Sequence, residues 1–325
     1  MGGGRRARRA IEARHRARRR LIRLALAATA VVGVSVMITV AANREKPADP
    51  SALPEELVAI RDTVFLEVRT VKGNTLVRTL LDVGPKDNPQ AQLVDLTMPD
   101  DRSAAYFVQI DSDDVASIKR IGLDGGEPAT VAPGTNPTVS HDGRMLAYLA
   151  ADASAIVVLD LGRGTERRWD PTPTADLPNR TTVFDYAMSW SPDDRQLAFA
   201  LIDPSEVFIL DTSDTGTDLS AARRLGPPVD GPDAAWVQPV FQPGGRLAVL
   251  QSCCVEGRDQ PLLIVDPDTG KVMRTERQTD HEVDRFDYSP AGNHLIYVTP
   301  IGEAYRATGS GPQILVGKDF TSVAW

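Results

Sequence analysis

Short apolar runs alternate with tight polar turns along most of this chain, and one such pattern recurs. In each copy a turn built from Ser, Pro, Asp or Gly is followed at once by an apolar run of the Leu-Ala-Phe type. The turns lie at 97–101, 140–143, 191–194, 242–245 and 289–292, and their last residues are 42 to 51 residues apart. Pro, Asp and Gly favour the turn that joins two antiparallel strands. Several short strands repeated at this interval predict the blades of a β-propeller.

The number of blades follows from the hairpins and from the two ends of the repeat region. Most copies contain a second hairpin, as in 156–169, so each blade has four strands, a to d, counted from the channel outwards. A sixth copy is split, because the strand at 57–60 lacks a preceding strand and the strand at 320–325 lacks a following turn. Pairing these two leaves no free edge. We therefore predict an all-β, six-bladed propeller closed by the C-terminal strand, with seven blades as the alternative.

The repeated phrase resembles the WD40-like repeats of TolB-type propellers. In that family a Ser-Pro-Asp-Gly turn is followed by Leu-Ala-Phe or Leu-Ala-Tyr, and the nearest copies here are Ser191–Asp194 before Leu197, and Ser140–Gly143 before Leu146. The resemblance covers residues 57–325 and implies a TolB-like propeller.

The N-terminal region has a different character. Residues 1–23 hold ten Arg and one Glu, a net charge of +9, and since the whole chain carries −8 the remainder carries −17. Residues 24–42 contain no charged side chain and are long enough to cross a bilayer as a helix. We predict a basic cytoplasmic tail, a transmembrane signal-anchor at 24–42, a Pro-rich linker at 43–56 and a propeller outside the cytoplasm. The alternative is a signal peptide cleaved after Ala42, which would release a secreted propeller.

The predicted topology separates the connections between strands into two groups. Antiparallel alternation places the a–b and c–d turns on one face of the ring, the turn face, and the b–c and d–a connections on the other, the loop face. The long connections belong to the loop face and span 84–93, 169–186, 226–236, 252–260 and 278–285. Since the linker enters at strand b from the turn face, we expect the loop face to point away from the membrane and to carry the binding site.

Candidate partner-binding residues come from these connections and from the channel. Those in or beside the loop connections are Asp170, the pair Ala175–Asp176, Asn179, Arg180 and Trp236, and those in predicted strand a are Asp185, Gln238 and Asp287. Prolines make the 170–185 connection partly pre-ordered, so that docking costs it less entropy. Asn136 shares the strand-a location, and solvated residues at the channel mouth are the alternative interpretation of the strand-a group.

The remaining candidate chemistry is sparse. Cys253 and Cys254 are adjacent in a b–c connection and are candidates for a vicinal disulfide, with a bridge to another chain or two ordinary loop residues as alternatives. Asp111, Asp113 and Asp114 form an oxygen-rich loop, but they lack the spacing of an EF-hand, and we interpret them as a solvated acidic loop. His141, His281 and His294 are scattered without a zinc-ligand spacing. We expect no cofactor and no metal.

Composition and motifs narrow the function. The acidic extracytoplasmic region favours a basic or neutral partner over nucleic acid or anionic lipid. No Gly-x-Ser-x-Gly elbow occurs, so serine hydrolase chemistry of that kind has no support. We predict a non-enzymatic module that binds a protein or a cell-envelope component and contacts the bilayer through residues 24–42. The alternatives are a propeller that binds a sugar or metal in its channel and a propeller enzyme of unknown reaction.

Overall fold

The computed structural model describes residues 53–84, 91–170, 184–201, 206–214, 216–226, 235–252, 260–279, 281–308 and 311–325. The regular structure in these ranges is 23 β-strands and one short 3-10 helix, Leu219–Ala221. The prediction of an all-β fold is confirmed.

The strands form five antiparallel sheets, four with four strands and one with seven. The first has the order β23 (Phe320–Ala324), β1 (Glu56–Arg61), β2 (Phe65–Thr70) and β3 (Leu76–Asp82). The seven-stranded sheet contains β4 (Gln92–Thr97), β5 (Ala104–Ile110), β6 (Ala116–Gly122), β7 (Ala129–Val139), β8 (Met145–Ala150), β9 (Ile156–Asp160) and β10 (Thr165–Trp169).

Each of the other three sheets follows chain order from its first strand to its last. The next sheet contains β11 (Phe184–Trp190), β12 (Gln196–Leu201), β13 (Glu206–Asp211) and β14 (Arg223–Leu225). It is followed by β15 (Ala235–Phe241), β16 (Leu247–Ser252), β17 (Gln260–Val265) and β18 (Val272–Thr279). The last contains β19 (Arg285–Tyr288), β20 (Leu295–Val298), β21 (Ala304–Ala307) and β22 (Ile314–Gly317).

The hydrophobic core lies between successive sheets, as in a β-propeller. Trp169 of β10 and Trp190 of β11 belong to one apolar cluster, so they join the seven-stranded sheet to the sheet that follows it. Trp236 of β15 packs in the same way against side chains of the preceding sheet, and Phe286 of β19 against those of the sheet before it. Large apolar side chains lose most of their contact with water at each of these interfaces, which is the main force that holds the sheets side by side.

Strand β7 explains why one sheet has seven strands. Its first half pairs with β6, with Pro133 opposite Ser117, and its second half pairs with β8, with Gly134 opposite Ala150. The strand changes partner at Gly134, where φ is +156° and a Cβ atom would clash with the carbonyl oxygen of Leu149. A glycine is therefore required where one continuous strand serves two partners.

The C-terminal strand closes the ring, as predicted. β23 pairs antiparallel with β1, with Ala324 opposite Val58 and Phe320 opposite Arg61. Trp325 follows the strand and is only 4% exposed, in a cluster that also contains Ile296 of β20. The pairing thus covers the edge that β1 would otherwise leave open.

The a–b turns show why the repeated phrase has its composition. Their last residue has a left-handed backbone at Arg102, Gly143, Asp194, Gly245 and Gly292. The first turn therefore ends at Arg102, one residue later than the sequence pattern indicated. In the second turn the Ser140 hydroxyl donates to Asp142 over 2.8 Å and accepts the Met145 N–H over 2.9 Å, and Ser191 does the same in the third turn. Ser and Asp are thus used to close the turn.

The predicted membrane segment lies outside the described residues, as does the rest of the stretch from residue 1 to residue 52. Among the residues that are described, no helix is both long and apolar enough to span a bilayer.

Candidate functional site: the central channel

A cavity of about 150 Å³ runs along the centre of the propeller. It is lined by β4, β7, β11, β15, β19 and β23, together with the turns that follow β4, β7, β15 and β19. These six strands are the first strands of their units, and therefore the prediction that strand a lines the channel is confirmed.

A belt of polar contacts joins neighbouring units near the loop face. Asp95, Asn136 and Gln238 occupy equivalent β-bulges in β4, β7 and β15, each with φ between 51° and 56°. The Asp95 carboxylate accepts the Asn136 N–H over 3.3 Å, and the Ser322 hydroxyl accepts the Leu96 N–H over 3.2 Å. A bulge turns its residue out of the regular ladder, which lets each contact reach the next unit.

An ion pair joins two of the channel strands at the level of this belt. The guanidinium of Arg285, in β19, donates to the Asp95 carboxylate in β4, and the two strands are separated around the ring by β23. The Asp95 side chain is only 6% exposed, so the pairing spares it the cost of an unpaired buried charge. Gln238 donates from its side-chain amide to the carbonyl oxygen of Asp284.

A second ring of side chains lies one step deeper, towards the turn face. Strand pairing puts Thr97, Thr138, Ser189, Val240, Asp287 and Ala324 at the same position of their units. Two of the hydroxyls connect adjacent units, since Thr97 accepts the Val139 N–H over 3.4 Å and Ser189 accepts the Phe241 N–H over 2.9 Å. All six residues line the cavity, and Asp287 alone among them carries a charge.

Asp287 makes the same kind of connection with a carboxylate. Its Oδ1 accepts the Tyr288 N–H over 2.8 Å, and the backbone N–H of Trp325 in the next unit also acts on it as a donor. Burial nevertheless dominates and raises the pKa of Asp287 to about 6. No described basic side chain forms an ion pair with this carboxylate.

The turn-face end of the channel holds a histidine that is fixed at both ring nitrogens. His141 Nδ1 lies 3.1 Å from an Asp100 carboxylate oxygen, and Nε2 lies 3.3 Å from the carbonyl oxygen of Trp190. The hydrogen bond that the His141 ring donates to Asp100 raises the pKa of His141 to about 9, against a smaller opposing effect of burial. The imidazole is therefore a cation at neutral pH. The Asp194 carboxylate also accepts the backbone N–H of His141 over 2.8 Å and so connects one unit to the next.

The sequence analysis missed this pair. Asp100 and His141 occupy equivalent positions in adjacent a–b turns, counted back from Arg102 and Gly143. Alignment of the repeats on the left-handed turn residue would have brought them together. His141 was considered only as a zinc ligand, a role for which spacing along the chain is the wrong guide here.

The predicted site residues have different locations. Gln238 and Asp287 line the channel as expected. Asn136 is only 3% exposed and is not among the residues that line the channel. Its backbone N–H donates to Asp95. Trp236 is fully buried between two sheets and is a core residue, which corrects its assignment to a partner-binding surface.

The connection after β10 is described only at its start. Asp170 is exposed, accepts a hydrogen bond from Arg168 over 2.8 Å and forms an isolated parallel bridge with Asp218. The candidates that lie outside the described residues are Ala175–Asp176, Asn179, Arg180, the side chain of Asp185 and both cysteines, Cys253 and Cys254.

The acidic b–c turn after β5 is organised by its own backbone. Asp111 Oδ1 accepts the N–H groups of Asp113 and Val115, each over 2.9 Å, and Asp114 has a left-handed backbone. The carboxylate that closes the turn is thereby used as a local acceptor. Across the described ranges no three His, Cys, Asp or Glu side chains come together as a metal site.

The two faces of the propeller carry different charges. On the loop face, the described residues expose carboxylates at Asp82, Asp113, Asp114, Asp152, Glu282, Asp284 and Asp319. Two cations there are paired, Lys318 with Glu303 at 2.8 Å and Arg61 with Glu67 at 3.2 Å. On the turn face, the described residues expose six basic side chains, at Lys72, Arg144, Arg163, Arg195, Arg246 and Lys271, and ten carboxylates, at Glu55, Asp100, Asp101, Asp124, Glu127, Asp142, Asp193, Asp211, Asp214 and Asp268. The described loop face is therefore the more acidic of the two.

Comparison with known proteins identifies the fold. No protein-family model matches this chain, and no curated protein matches it in sequence. TolB from Acinetobacter baumannii superposes with a TM-score of 0.60 at 16% identity, over 83% of this chain and 65% of that one. Putative TolB from Agrobacterium tumefaciens superposes with a TM-score of 0.57 at 15% identity, over 81% of this chain and 90% of that one. A chain of a nidogen/laminin complex gives 0.51 at 16% identity, over 78% and 89%. The chain thus has a TolB-like β-propeller fold.

Proposed function

We propose that this chain is a membrane-anchored, extracytoplasmic propeller that acts, without catalysis, as a module for binding a protein or another component of the cell envelope. The observation that carries the proposal is the loop face, the more acidic of the two, built on a ring whose opposite face has tight turns. An acidic face of this kind favours a partner with a basic surface.

We infer that the ring has six blades. The seven-stranded sheet divides at Gly134 into two units that share β7, the first from β4 to the start of β7 and the second from the end of β7 to β10. The cavity is lined by six first strands, one for each unit counted in this way. Six units also account for every repeat of the turn phrase and for the split copy.

The direction of the chain supports the proposed orientation. Arg102, in an a–b turn, donates to the carbonyl oxygen of Glu56 over 3.1 Å, so the chain enters β1 at the turn face. In the proposed topology an anchor at 24–42 holds the turn face towards the bilayer and presents the loop face outwards.

The non-enzymatic part of the proposal draws on the channel chemistry. His141 is the one imidazole that lines the cavity among the described residues, and both of its ring nitrogens are engaged. Its pKa of about 9 keeps it protonated at neutral pH. A protonated and doubly held histidine is a poor general base.

Charge reversal on each face tests the proposal. The loop-face variant carries Asp113→Lys and Glu282→Lys, and the matched turn-face control carries Asp124→Lys and Glu127→Lys, which change the net charge by the same amount at exposed positions. Crosslinking of the full-length chain in cells is followed by quantification of the co-purified components. We expect the loop-face variant to lose its major crosslinked component by about tenfold or more and the control to retain it. Equal losses, or loss in the control alone, would contradict the face assignment.

A further inference from the structure

The second ring of the channel, which contains Thr97, Ser189 and Asp287, holds a charge that the fold does not require. Thr97 and Ser189 connect their unit to the next by accepting a backbone N–H, and Asp287 stands at the same position with Trp325 as its donor. A neutral hydroxyl therefore suffices for this structural role. The carboxylate of Asp287 adds a negative charge inside the cavity.

That charge lacks compensation among the described residues. Four charged side chains line the cavity, namely Asp100, His141, Arg285 and Asp287. His141 is paired with Asp100 at 3.1 Å, and Arg285 is paired with Asp95. Because each pair is close to neutral, Asp287 remains as the charged cavity residue without an ion-pair partner among the described residues, and a cationic ligand in the cavity would supply one.

The surroundings of Asp287 indicate the kind of counter-ion. The described residues bring no second carboxylate or imidazole to Asp287 as a metal site would need. The hydroxyls of Thr97, Thr138 and Ser189 lie on the same ring and can accept hydrogen bonds. Val240 and Ala324, the neighbours of Asp287 on the ring, are apolar and line the cavity, so they can contact a carbon chain.

We propose that the channel binds a primary ammonium group, with the Asp287 carboxylate as its counter-ion and the ring hydroxyls as acceptors for its remaining N–H groups. An ammonium has three donors: the Asp287 carboxylate can accept from it, and hydroxyls elsewhere on the ring that line the same cavity can accept its remaining N–H groups. A small free amine and a lysine side chain carry the same group. This site lies inside the ring and does not depend on the binding proposed for the loop face.

The proposal is tested by measuring, by calorimetry at pH 7.5, the affinity of the full-length chain for n-butylammonium. We expect Asp287→Thr to weaken binding by about 30-fold or more, since it removes the charge and keeps a hydroxyl at the position used by the other units. Asp287→Asn should have the same effect. Both variants should melt close to the wild-type temperature, because each keeps an oxygen that can accept a backbone N–H in place of the Asp287 carboxylate, so that loss of binding cannot be attributed to unfolding.

Further probes separate ammonium recognition from other chemistry. Tetramethylammonium has no N–H donor and should bind at least about tenfold more weakly than n-butylammonium. Comparable binding of n-butylammonium to wild type and Asp287→Thr, or its displacement by Ca²⁺ at equal concentration, would overturn the proposal. Binding of N-acetyl-lysine amide as well as n-butylammonium would identify a lysine side chain as an acceptable source, and binding of n-butylammonium alone would identify a small amine.

The pH dependence gives an independent check. Protonation of Asp287, whose pKa is raised to about 6, should reduce the affinity for n-butylammonium as the pH falls from 7.5 to 5. The groups facing Asp287 are His141, Asp100 and Arg285, and with a pKa of about 9 His141 stays protonated throughout this range. An affinity that is constant between pH 7.5 and pH 5 would contradict a role for the Asp287 charge.

Discussion

At the scale of single residues, the channel owes its chemistry to substitutions at equivalent positions of a repeated backbone. One position holds Asp287 where other units hold Thr97 or Ser189. Another holds His141 where a later unit holds Pro192. Since the backbone is nearly the same in each case, these side chains add charge without altering the fold, and they can be exchanged to test what the charge does.

The His141 ion pair gives a pH prediction of this kind. Its folded pKa of about 9 exceeds the ordinary value of 6.5, so the pair stabilises the native state below pH 6.5 and this contribution is lost as the pH rises to about 9. We expect wild type to lose about 2 kcal/mol relative to His141→Gln over that interval. Chemical denaturation of both proteins at pH 6, 7.5 and 9 measures this difference. His281→Gln, at an exposed position, is the control, and parallel pH profiles for wild type and His141→Gln would refute the effect of the pair.

At the scale of elements, two strands make the assembly continuous. β7 serves two neighbours in succession, and β23 brings the C-terminal end of the described chain to β1. Both arrangements leave backbone donors and acceptors paired where a break in the ring would expose them. The stability of the ring therefore depends on strands that join units as well as on the core between sheets.

Deletion of residues 320–325 should open the ring. The deletion exposes the edge of β1 and removes Trp325, which is 4% exposed, and loss of this tryptophan alone is expected to cost about 3–5 kcal/mol. A lower melting temperature, measured by circular dichroism, is the expected result. The Trp325→Phe variant keeps the strand and should be affected less. A truncated chain that melts at the wild-type temperature would show that β23 does not close the ring.

At the scale of the whole molecule, the difference in exposed charge between the two faces can be related to the face at which the chain enters β1. The exposed basic side chains of the turn face lie on the side where the chain enters β1, and the described loop face is acidic. The sequence before residue 53 adds an Arg-rich segment followed by an uncharged one. These features together motivate a single orientation of the propeller relative to a bilayer.

The proposed topology predicts where reporters will work. Fusions after residue 45 and at the C-terminus should be active only outside the cytoplasm, and the full-length chain should fractionate with the membrane, because the positively charged flank stays inside. Substitution of five of the ten N-terminal arginines by glutamine should weaken this orientation. A processed, soluble product beginning near Asn43 would instead establish a cleaved signal peptide.

The sequence by itself determined the features of the fold that depend on interactions between residues close together in the chain. Turn chemistry and strand length depend on neighbouring residues, so the repeated phrase was sufficient to predict four-stranded units, the TolB-like fold and the pairing of the C-terminal strand with the first sheet. The same local patterns placed Gln238 and Asp287 in channel-lining strands. Burial and pairing across units depend on residues far apart in the chain, which a single sequence does not connect.

Tertiary structure therefore decided the rest. Trp236 became a core residue because the neighbouring sheet covers it, and the change of partner at Gly134 gave one sheet seven strands. The Arg285 and Asp95 pair joins residues that are 190 positions apart. Closing the ring brings such side chains to one axis, and the charge of Asp287 acquires its significance only there, because the other charged side chains that line the cavity are already paired.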